Sequence, residues 1–209
     1  MARKSAKAGR SAEAPRAWQR MLSGRRLDLL DPSPLDVEIE DIAHGLSRVA
    51  RWNGQTSGDW AFTVAQHSLL VEEIFRRLRP GAGSVDCRAA LLHDAPEYVV
   101  GDLITPFKSA IGTSYKDLEL RLLAAVHLRF GLPAALPKTL SGPIKRADRA
   151  AAYLEATRLA GFDLAEAGRI FGRPRGYDEL DLEELDLRPW QPSEAKARYL
   201  SRFREVEGA

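Results

Sequence analysis

The chain has 209 residues, 44% of them hydrophobic, and a formal net charge of +2. This is enough to bury one substantial core, and no run approaches the roughly eighteen consecutive apolar residues of a membrane-spanning helix. The basic N-terminus is not followed by an apolar stretch, which argues against a secretory signal. Cys87 is the single cysteine, so an intrachain disulfide and a thiolate metal site are excluded, and a reducing, cytoplasmic setting is expected.

Charge is distributed unevenly along the chain. Residues 1–26 carry eight Lys or Arg and one acid, a charge of +7, which leaves −5 for the remainder. Such a tail can bind nucleic acid or an anionic surface, but its composition is typical of a solvated, disordered leader. We therefore predict a disordered basic leader over residues 1–20 and a single domain over residues 21–209. The acidic body argues against a protein whose main partner is nucleic acid.

The predicted elements are almost all helical. A short hairpin near the start and a turn at residues 31–34 come first. Hydrophobic periodicity and end signals then predict the helices. The first predicted helix has an apolar stripe at Ile42, Leu46 and Val49, and the second has one between Val64 and Leu78. The next helix runs from Ser84 to His93-Asp94, and a short helix begins at Thr105-Pro106. The last three predicted helices span Ser114–Arg129, Ile144–Ala160 and Ser193–Val206. Ser84 is the predicted N-cap of its helix, with Val85 facing inward. The expected class is all-α and irregularly packed.

The segment LLHDAPEYVVGD, residues 91–102, places polar groups in a stretch that otherwise has the composition of core. Buried polar groups cost free energy unless they are paired. Pro96 disfavours a helical residue before it, so the helix should end at His93-Asp94. Adjacent residues on an intact helix point about 100° apart. A helix end at this point therefore helps His93 and Asp94 to converge on one ion.

Three predicted helices each carry a metal-capable residue on the buried side: His67, His93 with Asp94, and Asp148. Two imidazoles and two carboxylates suit one divalent metal ion, such as Mn, Co, Fe, Zn or Mg, with water in the open positions. A water on such an ion is a nucleophile at neutral pH. The alternatives are a hydrogen-bonded core histidine at His67 and a surface ion pair at Asp148, which lies between two arginines.

Four segments extend this pattern: ARWNG (50–54), TVAQHS (63–68), ALLHDAPEYVVGDLITPFK (90–108) and IKRADRAAAYLEA (144–156). Together with His67, His93-Asp94 and Asp148, they resemble the HD-domain metal-dependent phosphohydrolases. The resemblance is to the branch of bacterial 5′-deoxynucleotidases and related phage nucleotide phosphohydrolases. It implies an irregular helical HD-domain fold around one metal-centred core, with His67, His93, Asp94 and Asp148 as the ligands.

The resemblance also assigns roles outside the ligand set. Glu97 and Asp102 match acids implicated in catalysis, one orienting the water and one protonating the leaving oxygen, and which does which stays open. Arg51 matches a phosphate-holding arginine, a role that suits a bidentate guanidinium. Thr105 and Lys108 are further candidates for phosphate contact.

Other positions refine the expectation. Trp52 matches an aromatic that packs on the sugar, with simple core burial as the alternative. Gln66 departs from the glutamate of the best-studied members, which bears on the substrate more than on the metal. His44 and His127 lie outside the motif and are interpreted as structural, so one metal ion is expected and not two.

The expected activity is therefore release of phosphate from nucleoside or deoxynucleoside 5′-monophosphates by a metal-bound water. One alternative is a triphosphohydrolase acting on (deoxy)nucleoside triphosphates. Another is a non-catalytic nucleotide-binding HD protein, and a third is a nucleic-acid-binding protein that works through the basic leader. The partner expected is a small-molecule nucleotide, with no membrane. Members of the branch are often dimers, so a homodimer is also an expectation.

Overall fold

A computed structural model describes residues 16–103, 113–176 and 180–208. Helix makes up 58% of the structure and strand 4%, which confirms the predicted all-α class. None of the helices described combines the length and the hydrophobicity needed to cross a membrane. The helices are α1 (Ile39–Leu46), α2 (Val64–Leu78), α3 (Ser84–Leu91), α4 (Glu97–Val100), α5 (Thr113–Arg129), α6 (Lys138–Arg158), α7 (Leu164–Ile170) and α8 (Pro192–Glu207).

The predicted hairpin near the start is present. Strands β1 (Trp18–Arg20) and β2 (Arg26–Asp28) pair antiparallel, with Trp18 opposite Asp28. The guanidinium carbons of Arg16 and Arg26 lie 4.6 and 4.4 Å from the centroid of the Trp18 ring, in cation–π contact. Strand β1 falls within the predicted leader, so the boundary at residue 21 is wrong, because pairing with β2 orders these residues. Residues 1–15 lie outside the described part of the chain.

Helix α2 lies at the centre of the core and packs against α3, α6 and α8. The predicted stripe of α2 is buried at Val64, Val71 and Ile74. Around it, the Tyr199 hydroxyl on α8 donates to the carbonyl of Leu91 at the end of α3, over 3.2 Å. Because α2 packs against both α3 and α6, residues of α2, of α6 and of the turn after α3 can meet near its N-terminal end.

Two helices differ from the predicted ones. Helix α6 begins at Lys138, six residues before the predicted start, and contains Pro143. A proline leaves the carbonyl four residues earlier without its helical donor, and here Arg79 Nη1 donates to that carbonyl, on Thr139, at 3.4 Å. Helix α7 was not predicted. Its signal is the N-cap Asp163, whose carboxylate accepts from the backbone N–H of Glu166 at 2.7 Å.

The start of α3 also corrects the sequence interpretation. Its N-cap is Gly83, and Ser84 is its first helical residue. Val85 is 47% exposed, so its predicted inward orientation is wrong. The buried face instead includes Cys87 and Leu91.

Gly45 provides a test of how α1 supports α4. A Cβ at Gly45 would lie 2.8 Å from Tyr98 Cβ and 2.9 Å from the Tyr98 carbonyl oxygen. We expect Gly45→Ala to lower the free energy of unfolding by about 1–3 kcal/mol, as overpacking does. Gly142→Ala on α6 is the control, since a Cβ there meets nothing within 4 Å; it should be neutral or stabilising by up to about 1 kcal/mol. Urea denaturation measures both, and equal stabilities would contradict the close packing of α1 on α4.

Candidate metal centre

His67 lies in the first turn of α2 and is fully buried. Thr63 caps the helix, because its side chain accepts from the backbone N–H of Gln66 at 3.3 Å. His67 Nδ1 lies 2.5 Å from Oε1 of Glu155 on α6. A proton shared with this carboxylate at Nδ1 leaves Nε2 as the nitrogen that a metal ion can bind.

His93 lies in the turn between α3 and α4. Helix α3 ends at Leu91, and α4 begins directly after Pro96, so the predicted end of the helix near His93-Asp94 is confirmed to within two residues. His93 Nδ1 donates to the carbonyl of Ala90 at 2.9 Å. Because this bond occupies Nδ1, Nε2 of His93 is the nitrogen that a metal ion can bind, as it is in His67.

The four predicted ligands meet at this point. His67, His93 and Asp148 each offer a ligand atom within 4.8 Å of those of the others, a group that can hold a metal ion. Asp148 Oδ1 lies 3.3 Å from His67 Nε2. Asp94 is not a member of that three-residue group, but its Oδ2 lies 3.4 Å from His67 Nε2 and 3.2 Å from His93 Nε2. The two predicted carboxylates therefore flank the two imidazoles.

Two buried atoms support a metal ion in particular. The Nε2 atoms of His67 and His93 are both buried, and neither makes a hydrogen bond within the described part of the structure. Buried polar atoms normally have a partner, and two imidazole nitrogens beside carboxylates suit a divalent transition ion. The Asp148 side chain is 39% exposed, so the group is open to solvent on that side.

The charges around His67 also favour a cation. Burial and the charge of Arg51 would lower the pKa of His67, but Glu155, Asp148 and Asp94 hold it well above its ordinary value. The same carboxylates stabilise any positive charge at Nε2. Either a proton on Nε2 or a divalent ion bound to Nε2 and to the neighbouring ligands would supply that positive charge.

Glu155 was not among the predicted site residues, and it connects several of them. Its side chain is fully buried. Oε1 lies against His67 Nδ1, while Oε2 accepts from Arg51 Nε at 3.2 Å and from Trp52 Nε1 at 2.9 Å. Burial would raise the pKa of Glu155, but the charges of Arg51 and His67 lower it to about 2. A sequence signal existed, because Glu155 follows Asp148 by seven residues, two turns along the same face of α6.

Arg51 lies between two carboxylates. Besides the bond to Glu155, its Nη1 donates to Asp102 Oδ2 at 3.1 Å, and the side chain is only 14% exposed. Burial would lower the pKa of Arg51, but Glu155 and Asp102 raise it further above its already high value. Arg51 is therefore not a simple surface charge. Nη2 makes no hydrogen bond to any residue that the structure describes, so one nitrogen of the guanidinium remains for a ligand.

Trp52 is partly buried by aromatic packing, and its predicted contact with a sugar stays a prediction. Its ring packs against Phe162 and Phe171, each with a centroid distance of 5.6 Å, while Nε1 reaches Glu155. Trp52 and Asn53 have φ of 58° and 51°, a left-handed conformation that non-glycine residues adopt at a cost of about 1–3 kcal/mol. The turn is anchored where the backbone N–H of Arg51 donates to the carbonyl of Phe62 at 2.8 Å. The aromatic packing accounts for partial burial, and the strained turn is typical of a functional loop.

The remaining predicted residues fall into three groups. Asp102 joins the site through Arg51. Glu97 is buried at the first position of α4, with its backbone N–H bonded to the carbonyl of Asp94 at 3.0 Å. Thr105 and Lys108 lie outside the described residues, so their predicted phosphate contacts stay predictions.

Gln66 and the other two histidines lie outside the metal-capable group. The Gln66 side chain donates to the carbonyl of Arg188 and accepts from the backbone N–H of Trp190, both at 3.0 Å, so it anchors the segment before α8. His127 is buried, and its Nδ1 lies 3.3 Å from the Ala134 carbonyl. His44 lies on α1. One metal-capable group is found in the described ranges.

Arg51 gives a test of this site. Lysine cannot contact two carboxylates with a planar fork, so Arg51→Lys loses at least one charge-assisted hydrogen bond, worth about 1.5–3 kcal/mol. On nucleoside monophosphates, the substrates expected from the sequence, kcat/KM should fall roughly 10–100-fold. Arg204→Lys is the control, because Arg204 is exposed on α8. Wild-type kinetics in Arg51→Lys, measured beside the control, would contradict a functional role for the fork.

Comparison with known proteins places the chain in a family. It is 62% identical over 187 residues to an uncharacterized protein of Rhodobacter capsulatus, and the match covers 90% of this chain and 94% of the relative. The chain belongs to the same family as that protein. No protein-family model matches the chain. The relative's description assigns no activity, so the reaction has to be argued from the site.

Proposed function

We propose that the protein is an HD-type, metal-dependent phosphohydrolase that releases phosphate from nucleoside and deoxynucleoside 5′-monophosphates. The observation that carries the proposal is the convergence of His67, His93 and Asp148 within 4.8 Å, with Asp94 against both imidazoles. The four segments that resemble the HD phosphohydrolases supply these residues. A nucleotide substrate agrees with the cytoplasmic location expected from the sequence.

The metal ion supplies a Lewis acid that activates water and neutralises charge on the phosphate. The protein's own residues do the rest. Glu155 and the Ala90 carbonyl fix the two imidazoles through Nδ1, which keeps both Nε2 atoms directed at one point. Arg51 is held by Asp102 and Glu155 with Nη2 left for a phosphate oxygen. Trp52, fixed by Glu155, supplies an aromatic surface beside that guanidinium.

Glu97 and Asp102 are the proposed proton-transfer residues. Glu97 follows the ligand Asp94 by one helical turn, and Asp102 contacts Arg51, so both lie beside the proposed phosphate position without being ligands. General acid–base groups contribute about 10²–10⁴-fold to the rate. We expect Glu97→Ala and Asp102→Ala to lose turnover on that scale and to keep the metal ion.

The measurement pairs kcat with elemental analysis of each purified variant. Glu183→Ala serves as the control, because Glu183 is an exposed acid in the segment before α8. An unchanged kcat in either variant would remove that residue from the mechanism. Loss of the metal ion would instead make that residue part of the ion's binding site.

The proposed reaction is tested with metal-loaded protein on a panel of ribo- and deoxyribonucleoside mono- and triphosphates. We expect inorganic phosphate from the monophosphates, no product after chelation of the metal, and no product from His93→Ala. Release of triphosphate from the triphosphates alone would replace the proposal with the triphosphohydrolase alternative. Nucleotide binding without any product, for each metal tested, would contradict catalysis and favour the non-catalytic nucleotide binder.

A further inference from the structure

A cavity of about 340 Å³ lies between α2, α6 and the segment that follows α7. None of the predicted metal ligands lines it, and neither do Arg51, Trp52 or Glu155. Small-molecule sites have volumes of about 300–1,000 Å³. The cavity is therefore large enough to be a binding site in its own right, separate from the metal centre.

The rim of this cavity is strongly basic. Arg146 and Arg149 come from α6, one turn apart, and Arg173 and Arg175 come from the segment after α7. The described residues that line the cavity include no Asp or Glu. Arg146, Arg149 and Arg175 are exposed and make no ion pair or hydrogen bond with any residue in the described ranges. We call this set, with Arg173, the arginine rim.

The guanidinium groups of Arg146, Arg149 and Arg175, which have no partner among the described residues, repel one another, so a bound anion is favoured there. Guanidinium groups bind phosphate oxygens through pairs of parallel hydrogen bonds. Helix α6 presents two such groups from one rigid element, which holds them at a fixed spacing. The arginine rim therefore favours a ligand with more than one negative charge, as a phosphate or diphosphate has.

The floor of the cavity is apolar. Ile74, Ala150 and Leu182 are buried there, and Leu78 and Phe171 are half-buried. An inorganic anion would leave these side chains in contact with water, whereas a ring or aliphatic group would cover them. The floor therefore favours a ligand that carries an apolar body as well as the charge.

We propose that this cavity binds a small phosphorylated molecule with an apolar body, of the size and kind of a nucleoside diphosphate. The phosphates contact the arginine rim, and the body lies on the floor between α2 and α6. The proposal is one of binding alone, because the described residues that line the cavity include no nucleophile, acid or base. The inference does not depend on the reaction proposed for the metal centre.

The test is calorimetric titration of ADP, pyrophosphate and adenosine into the His93→Ala protein, in which the metal centre is disabled. Wild-type protein with excess chelator repeats the measurement on the unaltered chain. We expect ADP to bind at least about tenfold more tightly than either part alone, because rim and floor act together. Replacing Arg146 and Arg149 together with glutamine should weaken ADP binding at least tenfold.

Arg204→Gln on α8 is the matched control, an exposed arginine outside the cavity, and should bind ADP as the parent does. The proposal is overturned if ADP fails to bind both the His93→Ala protein and the chelated wild type. It is also overturned if the Arg146/Arg149 double variant binds ADP as tightly as the control, or if pyrophosphate binds as tightly as ADP. Circular dichroism of each variant shows that the chain is folded during the titration.

Discussion

Asp148→Ala is expected to purify without a bound divalent ion and without phosphohydrolase activity. The Asp148 carboxylate is one of three ligand groups that converge within 4.8 Å, and it is the one from α6. Loss of even an outer-sphere partner typically lowers metal affinity by 10–100-fold, so loss of a direct ligand should lower it by more. The same outcome is expected for His67→Ala, His93→Ala and Asp94→Ala.

Elemental analysis of the purified variants, followed by titration of Mn²⁺ into the chelated proteins, measures this effect. Asp117→Ala and His44→Ala are the controls, because Asp117 is exposed on α5 and His44 lies outside the cluster. Both controls should retain the ion in the same amount as the wild type. Full occupancy in Asp148→Ala would remove Asp148 from the ligand set, and full occupancy in all four would exclude a metal ion at this point.

Glu155→Gln should have the second largest effect. The carboxylate holds His67 Nδ1, Arg51 Nε and Trp52 Nε1. The glutamine side chain is neutral, and its NH₂ group is a donor that would face the donors that now bind the carboxylate. Breaking a buried ion pair typically costs about 3–5 kcal/mol, so the free energy of unfolding should fall by that order. Metal affinity should fall about 10–100-fold, because the ring of His67 loses its fixed orientation.

Glu72→Gln is the control that separates the loss of stability from the loss of metal affinity. Glu72 is also a buried glutamate that pairs with an arginine, since Arg202 Nε and Nη2 donate to it at 3.1 and 2.7 Å. It contacts no predicted metal ligand, so Glu72→Gln should be less stable but bind the ion with unchanged affinity. Metal titration beside urea denaturation gives both quantities. Metal affinity within twofold of wild type in Glu155→Gln would show that Glu155 is only a structural residue.

Much of the helical content could be predicted from local patterns. The stripe through Val64 and Val71 and the span Ser114–Arg129 agree with α2 and α5 to within about one residue at the bounds given. The predicted start of α6 at Ile144 is six residues late, because the helix continues through Pro143, where Arg79 supplies the donor that the Thr139 carbonyl lacks. That compensation comes from residues 60 positions apart, and no local pattern indicates it.

In the candidate site too, the sequence indicates some residues, whereas the contacts between others depend on tertiary packing. The four proposed ligands could be singled out from the sequence, because each is a polar residue on an otherwise apolar helical face or at a proline-terminated helix end. Glu155 was visible as an inward-facing acid, but its role depends on contacts with His67, Trp52 and Arg51 that lie 88, 103 and 104 positions away. The arginine rim likewise forms only when α6 and the segment after α7 come together. Pairings across such distances follow from the packing of the helices, which periodicity alone does not determine.

The most direct test of the central claim is a crystal structure of the protein loaded with Mn²⁺, with anomalous diffraction data to locate the ion. We predict one anomalous peak within about 2.0–2.3 Å of His67 Nε2, His93 Nε2 and carboxylate oxygens of Asp94 and Asp148. A peak elsewhere, with the two imidazole Nε2 atoms free of metal, would contradict the metal centre and the phosphohydrolase function that rests on it.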